Sequence, residues 1–119
     1  MSYVLIVDDE QYICWLVEET LAPLGYMVRT ATNREKALSL IRQEPPGLIL
    51  LDLKLPQVSG TALLEEIRHL APEVPVVLMT GEMEAEENLP VAGRLAKPFD
   101  LQDLRRLVET LLPFLPERP

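Results

Sequence analysis

The feature that most limits how this chain can fold is an unbroken apolar run, Gly47-Leu48-Ile49-Leu50-Leu51, that stops at Asp52. A strand with one face in water alternates apolar and polar side chains, whereas a strand covered on both faces reads as continuous. The run is short, and it is bounded by Pro45-Pro46 on one side and an aspartate on the other, which favours a strand over a buried helix. It therefore predicts a central strand with helices packed on both sides. Residues 3–7, 26–30, 74–79 and 94–96 read as further strands. Between them lie segments of helical period. Residues 11–22 place Ile13, Leu16, Val17 and Leu21 on one face, a second segment carries Ala37, Leu38 and Ile41, and a third carries Leu63, Leu64, Ile67 and Leu70. The last helix starts at Asp100 as N-cap and brings Leu101, Leu104, Val108 and Leu111 together. Thr32 and Glu35 have the spacing of a capping box, Gly25 ends the first helix, and residues 56–60 form a turn. Strands alternating with helices imply βαβ units, right-handed crossovers and a doubly wound α/β fold around a five-stranded parallel sheet.

Five polar residues share one place in this pattern. Asp8, Asp9, Asp52, Thr80 and Lys97 each lie just past the C-terminal end of an apolar strand. In an open parallel sheet those ends form one edge, and ligands bind there near the point where strand order reverses. Residues far apart in sequence are thus expected to meet in one shallow pocket. Three carboxylates packed together repel, so at least one pKa rises unless a cation intervenes. Oxygen ligands of this kind suit Mg²⁺, which prefers octahedral geometry and keeps several waters. Beside the metal, Asp52 can stay ionised and act as a nucleophile, since carboxylates form acyl-phosphates in some enzymes. Phosphoryl transfer asks for positioning and charge neutralisation more than for acid–base chemistry. Lys97 offers a second positive charge beside the metal, and the Thr80 hydroxyl can donate to a phosphoryl oxygen.

Composition narrows the function further. The 119 residues fit one domain, 1–119, with residues 113–119 and their three prolines as an extended tail or the start of a linker. A formal net charge of −8 argues against direct nucleic-acid or anionic-membrane binding but does not repel a divalent cation. The single cysteine, Cys14, excludes an internal disulfide and suits a reducing cytosol. The opening MSYVLIVDDE has no basic n-region, and no apolar stretch is long enough to span a membrane. A cytoplasmic location is expected.

Taken together, Asp8-Asp9 after the first strand, Asp52 after the third with Pro56 and Gly60 behind it, Thr80-Gly81 after the fourth and Lys97-Pro98-Phe99 after the fifth resemble the receiver domain of two-component response regulators. The resemblance covers essentially the whole chain. It implies a flavodoxin-like strand order 2-1-3-4-5 and a phosphorelay role, with a sensor histidine kinase or phosphotransfer protein as donor. It implies that Asp52 is the phosphoacceptor, that Asp9 is the main acidic Mg²⁺ ligand, that Asp8 binds mainly through metal-bound water, and that the Lys54 carbonyl completes the protein ligands. It further implies that Lys97 pairs with the phosphoryl group or with Asp52, that Thr80 responds to phosphorylation, and that the Lys97-Pro98 peptide is cis. Lys54 and Glu82 stand where the family tunes the lifetime of the phosphoryl group.

The chain departs from that pattern in two places. Three residues before the lysine, where the family usually has Tyr, Phe or His, stands Arg94, whose guanidinium cannot be buried without a charged partner. The segment from Thr80 to Lys97 is also shorter than the family norm by more than a turn of about 3.6 residues, and it carries Pro90 and glutamates at 82, 84, 86 and 87. A short or missing fourth helix, and an unusual output surface, are expected. Output then passes through a downstream protein partner or an effector domain lost from this chain. Plainer readings apply elsewhere. The glutamates can form a solvated face, Asp8-Asp9-Glu10 can cap the first helix, and His69 sits near a helix end as a surface residue. Cys14 and Trp15 fall beside the core stripe of the first helix as half-buried packing residues, or, with the family's docking mode, as part of the kinase-docking surface. The chain is read as a signalling switch and not as an enzyme. The alternatives are a phosphorylation-independent scaffold of the same fold, supported by Arg94 and the short segment, and a hydrolase using Asp52. Against the hydrolase, Lys54 stands where an aspartate-nucleophile phosphatase has its second acid.

Overall fold

The computed structural model describes residues 2–55, 58–81 and 90–112. The chain runs β1 (Val4–Val7), α1 (Gln11–Leu21), a 3₁₀ turn (Ala22–Leu24), β2 (Val28–Ala31), α2 (Arg34–Gln43), β3 (Leu48–Asp52), α3 (Gly60–Leu70), β4 (Val76–Thr80), β5 (Gly93–Ala96) and α4 (Leu101–Leu111). The five strands form one parallel sheet in the order β2-β1-β3-β4-β5. β3 is central and buried along its whole length, as its unbroken apolar run requires.

Alternate strand residues feed two cores. Leu5, Val7, Ile49, Leu51 and Leu78 pack with Leu38 and Ile41 of α2 and Leu63 and Ile67 of α3. Val4, Ile6, Leu48, Leu50, Val77 and Met79 pack with Cys14 and Val17 of α1 and Leu104 and Val108 of α4. Each such side chain contributes about 1.5–3 kcal/mol of burial, so the sheet is held from both faces. Polar links close the layers. Arg34 of α2 makes a two-pronged ion pair with Glu66 of α3, at 2.9 and 2.5 Å. The Tyr3 hydroxyl donates to the Glu44 carbonyl just past the end of α2 at 2.7 Å and, at 3.3 Å, shares the Leu40 carbonyl with the Glu44 N–H.

Several boundaries differ from the sequence reading for local reasons. The cap of α2 is Asn33, whose Oδ1 accepts from the Lys36 N–H at 2.8 Å, and not Thr32. Asn caps better than Thr, and the shift leaves Glu35 one place short of the capping-box position, where it pairs with Arg34 instead. β2 begins at Val28, because Gly25 takes φ 101° and the Tyr26 N–H still bonds back to the Leu21 carbonyl. β4 begins at Val76. The Val74 N–H closes a turn onto the Ala71 carbonyl, and Pro75 has no N–H for the ladder. Leu70 and Leu101 lie exposed at helix ends, off the stripes they were placed on. Cys14 is a core residue and not half-buried, while Ile13 and Leu16 flank the core half-buried. The described residues contain four α-helices; the expectation of a short or missing helix between Thr80 and Lys97 falls on residues 82–89, outside the described residues.

Gly60 opens α3 against the loop that follows Asp52. A Cβ there would stand 2.5 Å from the Leu53 carbonyl oxygen and 2.6 Å from Leu53 Cα, both backbone, whereas a Cβ on Gly81 would meet nothing within 4 Å. Gly60→Ala is expected to lower stability by about 1–3 kcal/mol, as overpacking does. Gly81→Ala should stay within about 0.5 kcal/mol of the parent, as surface changes do. Urea melts of the two variants check the contrast, and equal midpoints would refute it.

Candidate metal centre

Parallel register places the strand ends side by side. Val7 pairs with Leu51, Asp52 with Met79 and Thr80 with Ala96, so the residues that follow β1, β3, β4 and β5 emerge on one edge. Backbone bonds extend this alignment past the strands. The Asp8 N–H donates to the Ala31 carbonyl at 3.1 Å, and the Lys97 N–H to the Thr80 carbonyl at 2.7 Å. The Lys97-Pro98 peptide is cis, as the resemblance implied.

Asp8, Asp9 and Asp52 meet here. Each offers a carboxylate oxygen within 4.8 Å of the others. Asp8 is fully buried, Asp52 nearly so, and Asp9 faces solvent. Asp8 Oδ1 accepts the Glu10 N–H at 2.9 Å and Asp52 Oδ1 the Lys54 N–H at 3.0 Å. These bonds hold one oxygen of each carboxylate and point the other inward. There Lys97 Nζ donates to Asp8 Oδ2 at 2.8 Å and to Asp52 Oδ2 at 3.4 Å. Thr80 ends β4 on the same edge, partly buried. All five residues singled out from sequence therefore lie at this edge. Lys54 is exposed beside Asp52, touching it through its backbone N–H.

The electrostatics follow from this crowding. Burial pushes the Asp8 carboxyl above the ordinary aspartate range. The Lys97 bond and the Glu10 N–H oppose the rise, and the charge of Asp52 adds to it. Burial alone would lower the Lys97 ammonium, but the hydrogen bond to Asp8 and the charges of Asp52, Asp8 and Glu10 outweigh it and hold Lys97 above its ordinary value. An all-oxygen set of three carboxylates fits a hard divalent cation, and Mg²⁺ in particular needs few protein ligands. Two neighbours were not placed in the site from sequence. Cys14 donates its thiol to the Asp8 carbonyl at 3.4 Å, and burial pushes that thiol up to about 11, so it stays protonated. Glu10 Oε1 lies 3.5 Å from Lys97 Nζ. The only signal for Glu10 was its place in Asp8-Asp9-Glu10, and helix capping explained that equally well.

Known proteins resemble this chain in sequence and in fold. The family model for the response regulator receiver domain matches residues 4–109. Sporulation initiation phosphotransferase F of Bacillus subtilis is 35% identical over 115 residues, which cover 92% of this chain and 93% of that protein. The DNA-binding transcriptional regulator NtrC of Salmonella typhimurium is 32% identical over 89% of this chain, which spans only 24% of that protein. Among solved structures, the receiver domain of NtrX from Brucella abortus superposes with a TM-score of 0.85 at 34% identity, covering 94% of this chain and 99% of that one. The CheY-like receiver domain protein from Methanospirillum hungatei does so with 0.85 at 31%, covering 95% of each.

Protons and metal compete for Asp8. Because its pKa in the fold is raised above the ordinary 3.8, the folded state holds more protons than the unfolded chain between 3.8 and the raised value. The contribution of Asp8 to the stability of the metal-free domain therefore rises as pH falls through that window, and any Mg²⁺-linked gain shrinks there. At neutral pH, Mg²⁺ at ten times its Kd should add about 1.4 kcal/mol, or roughly 5 °C of Tm. The increment should fade on acidification before ordinary carboxylates titrate. Differential scanning fluorimetry across pH, with Asp9→Asn as the ligand-deficient control, measures it. An increment equal in Asp9→Asn would contradict the site.

Proposed function

Because this chain belongs to the response regulator receiver family, a family of signalling domains of two-component systems, we propose that it is a phosphorylation switch whose acceptor is Asp52. The observation that carries this reading is the placement of Lys97 Nζ between Asp8 and Asp52 within reach of three clustered carboxylates. Asp8, Asp9, Asp52 and the Lys54 carbonyl would hold Mg²⁺, which when bound neutralises charge on the carboxylates and on the phosphoryl oxygens. An Asp52 carboxylate oxygen attacks phosphorus of a phosphohistidine. The P–N bond breaks, its electron pair stays on the imidazole nitrogen, and an aspartyl phosphate results. Lys97 neutralises a phosphoryl oxygen, and Thr80, at the end of β4, donates its hydroxyl to another. In self-dephosphorylation water attacks phosphorus and Asp52 leaves with the bonding electrons. Lys54, beside Asp52, and Glu82, outside the described residues, stand where the attacking water is controlled.

The partners follow from the chemistry. The donor is a sensor histidine kinase or phosphotransfer protein in the cytoplasm, and the reader is a downstream protein or an effector domain. We take 1–119 as one receiver unit; residues 113–119 lie outside the described residues. Arg94 favours an output unlike that of relatives with an aromatic ring. It is partly buried on β5 and lines, with Phe99, Arg106 and Leu107, a groove between β5 and α4. It is also the observation that supports the second reading, a scaffold that binds partners without phosphorylation.

Incubation with a small acyl-phosphate donor and Mg²⁺, followed by intact mass, separates the two readings. A phosphoryl adduct in the parent that is lost in Asp52→Ala is the expected outcome. An unmodified parent would favour the scaffold.

Docking of the protein donor generates a separate expectation. Trp15 and Tyr12 are exposed on α1, with ring centroids 5.8 Å apart, one to two turns beyond Asp9. Trp15→Ala should slow transfer from the cognate donor about tenfold, the effect of losing roughly 1.4 kcal/mol at an interface. Its rate with the small donor should not change. Equal slowing of both reactions would exclude a docking role.

A further inference from the structure

Lys97 faces three carboxylates, and one of them lies outside the acidic cluster. Asp8 and Asp52 belong to the set of converging oxygens; Glu10 does not. Yet Glu10 Oε1 is 3.5 Å from Lys97 Nζ, nearly as close as Asp52 Oδ2 at 3.4 Å. Glu10 stands at the N-cap of α1, where a short acidic side chain ordinarily accepts an N–H of the first turn. Its side chain makes no such bond. Its own backbone N–H is held by Asp8 Oδ1, which seats it beside the pocket, and its carboxylate reaches across to the lysine. The Glu10 side chain is 61% exposed, against 0% for Asp8 and 6% for Asp52. It therefore meets the ammonium from the solvent side, the side from which a phosphoryl group must arrive.

From this geometry we propose that Glu10 competes with the incoming phosphoryl group for Lys97 Nζ and so slows phosphorylation of Asp52. The proposal rests on the reading of Asp52 as acceptor. Glu10 forms no bond to the reacting atoms and moves no proton; it is a positioning residue that acts through Lys97. An ammonium has three N–H donors, and three carboxylates already share those of Lys97, so one of them must give way before Lys97 can engage a phosphoryl oxygen, and Glu10 is the exposed one. The pair is exposed and screened, which makes the displacement easy and the effect modest.

The test compares the parent chain with Glu10→Gln and Glu10→Asp, using Mg²⁺ and a small acyl-phosphate donor with adduct formation followed by intact mass. Glu10→Gln should raise the second-order rate constant roughly three- to tenfold at low ionic strength, with the gain shrinking as salt screens the site. Glu10→Asp keeps the charge but is one methylene shorter, so it should also be faster than the parent. If it instead matches the parent, only the general field matters and the proposal fails. An unchanged or slower Glu10→Gln overturns it as well. Mg²⁺ affinity, read from the fluorescence of Trp15, the single tryptophan, should change by less than about twofold in Glu10→Gln; a larger loss would make Glu10 a metal-site residue. A parent that forms adduct at the same rate as both variants sinks this inference alone. A parent that forms none sinks the acceptor reading itself.

Discussion

The organisation of this domain turns on one ion-pair network. Lys97, 89 residues from Asp8 in sequence, brings its ammonium to a fully buried carboxylate and to a nearly buried one. Neither aspartate could sit there alone. A buried, unpaired carboxylate either protonates or costs several kcal/mol. The lysine makes the crowding tolerable, but it does not cancel it, since Asp8 remains above its ordinary range despite the bond. The site is a place where negative charge is held under partial compensation, which is the condition a divalent cation relieves.

The sheet exists to keep that network in register. β3 is buried along its whole length and aligned residue by residue with β1 and β4. The apolar rows on its two faces belong to different cores. A slip of one residue would exchange those rows and send Asp52 away from Asp8. The pressure to keep apolar side chains in both cores is therefore the same pressure that aligns the acidic ones. Membership of the response regulator receiver family is consistent with this coupling.

Much of this was legible in the chain, for identifiable reasons. Continuous apolar runs ending in Asp8, Asp52 and Thr80, and a short strand ending at Lys97, bring their C-terminal ends to one edge of a parallel sheet, so the edge and its occupants were legible in the pattern. Where the reading went astray, a local competitor decided. Asn33 outbid Thr32 as the cap of α2 because it caps better. Pro75 delayed β4 because it lacks an N–H. The helical period points Leu70 and Leu101 at the core, but both lie exposed because that period does not register where a helix ends. Cys14 falls beside the stripe by periodicity, but α1 is rotated so that its thiol is buried and faces the Asp8 carbonyl.

Sequence by itself determined the class of fold, the strand that had to be central, and the five polar residues that had to share an edge. Apolar periodicity is a local property, and strand order and handedness limit what it can build. Only the tertiary structure decided how charge is shared at that edge: that Asp8 is fully buried while Asp9 faces water, that Lys97 bonds Asp8 more closely than Asp52, and that Glu10 leaves its helix end to join them. Distances of a few ångströms between side chains from distant segments set these preferences, and electrostatic energy changes steeply over that range. No pattern along the chain encodes them.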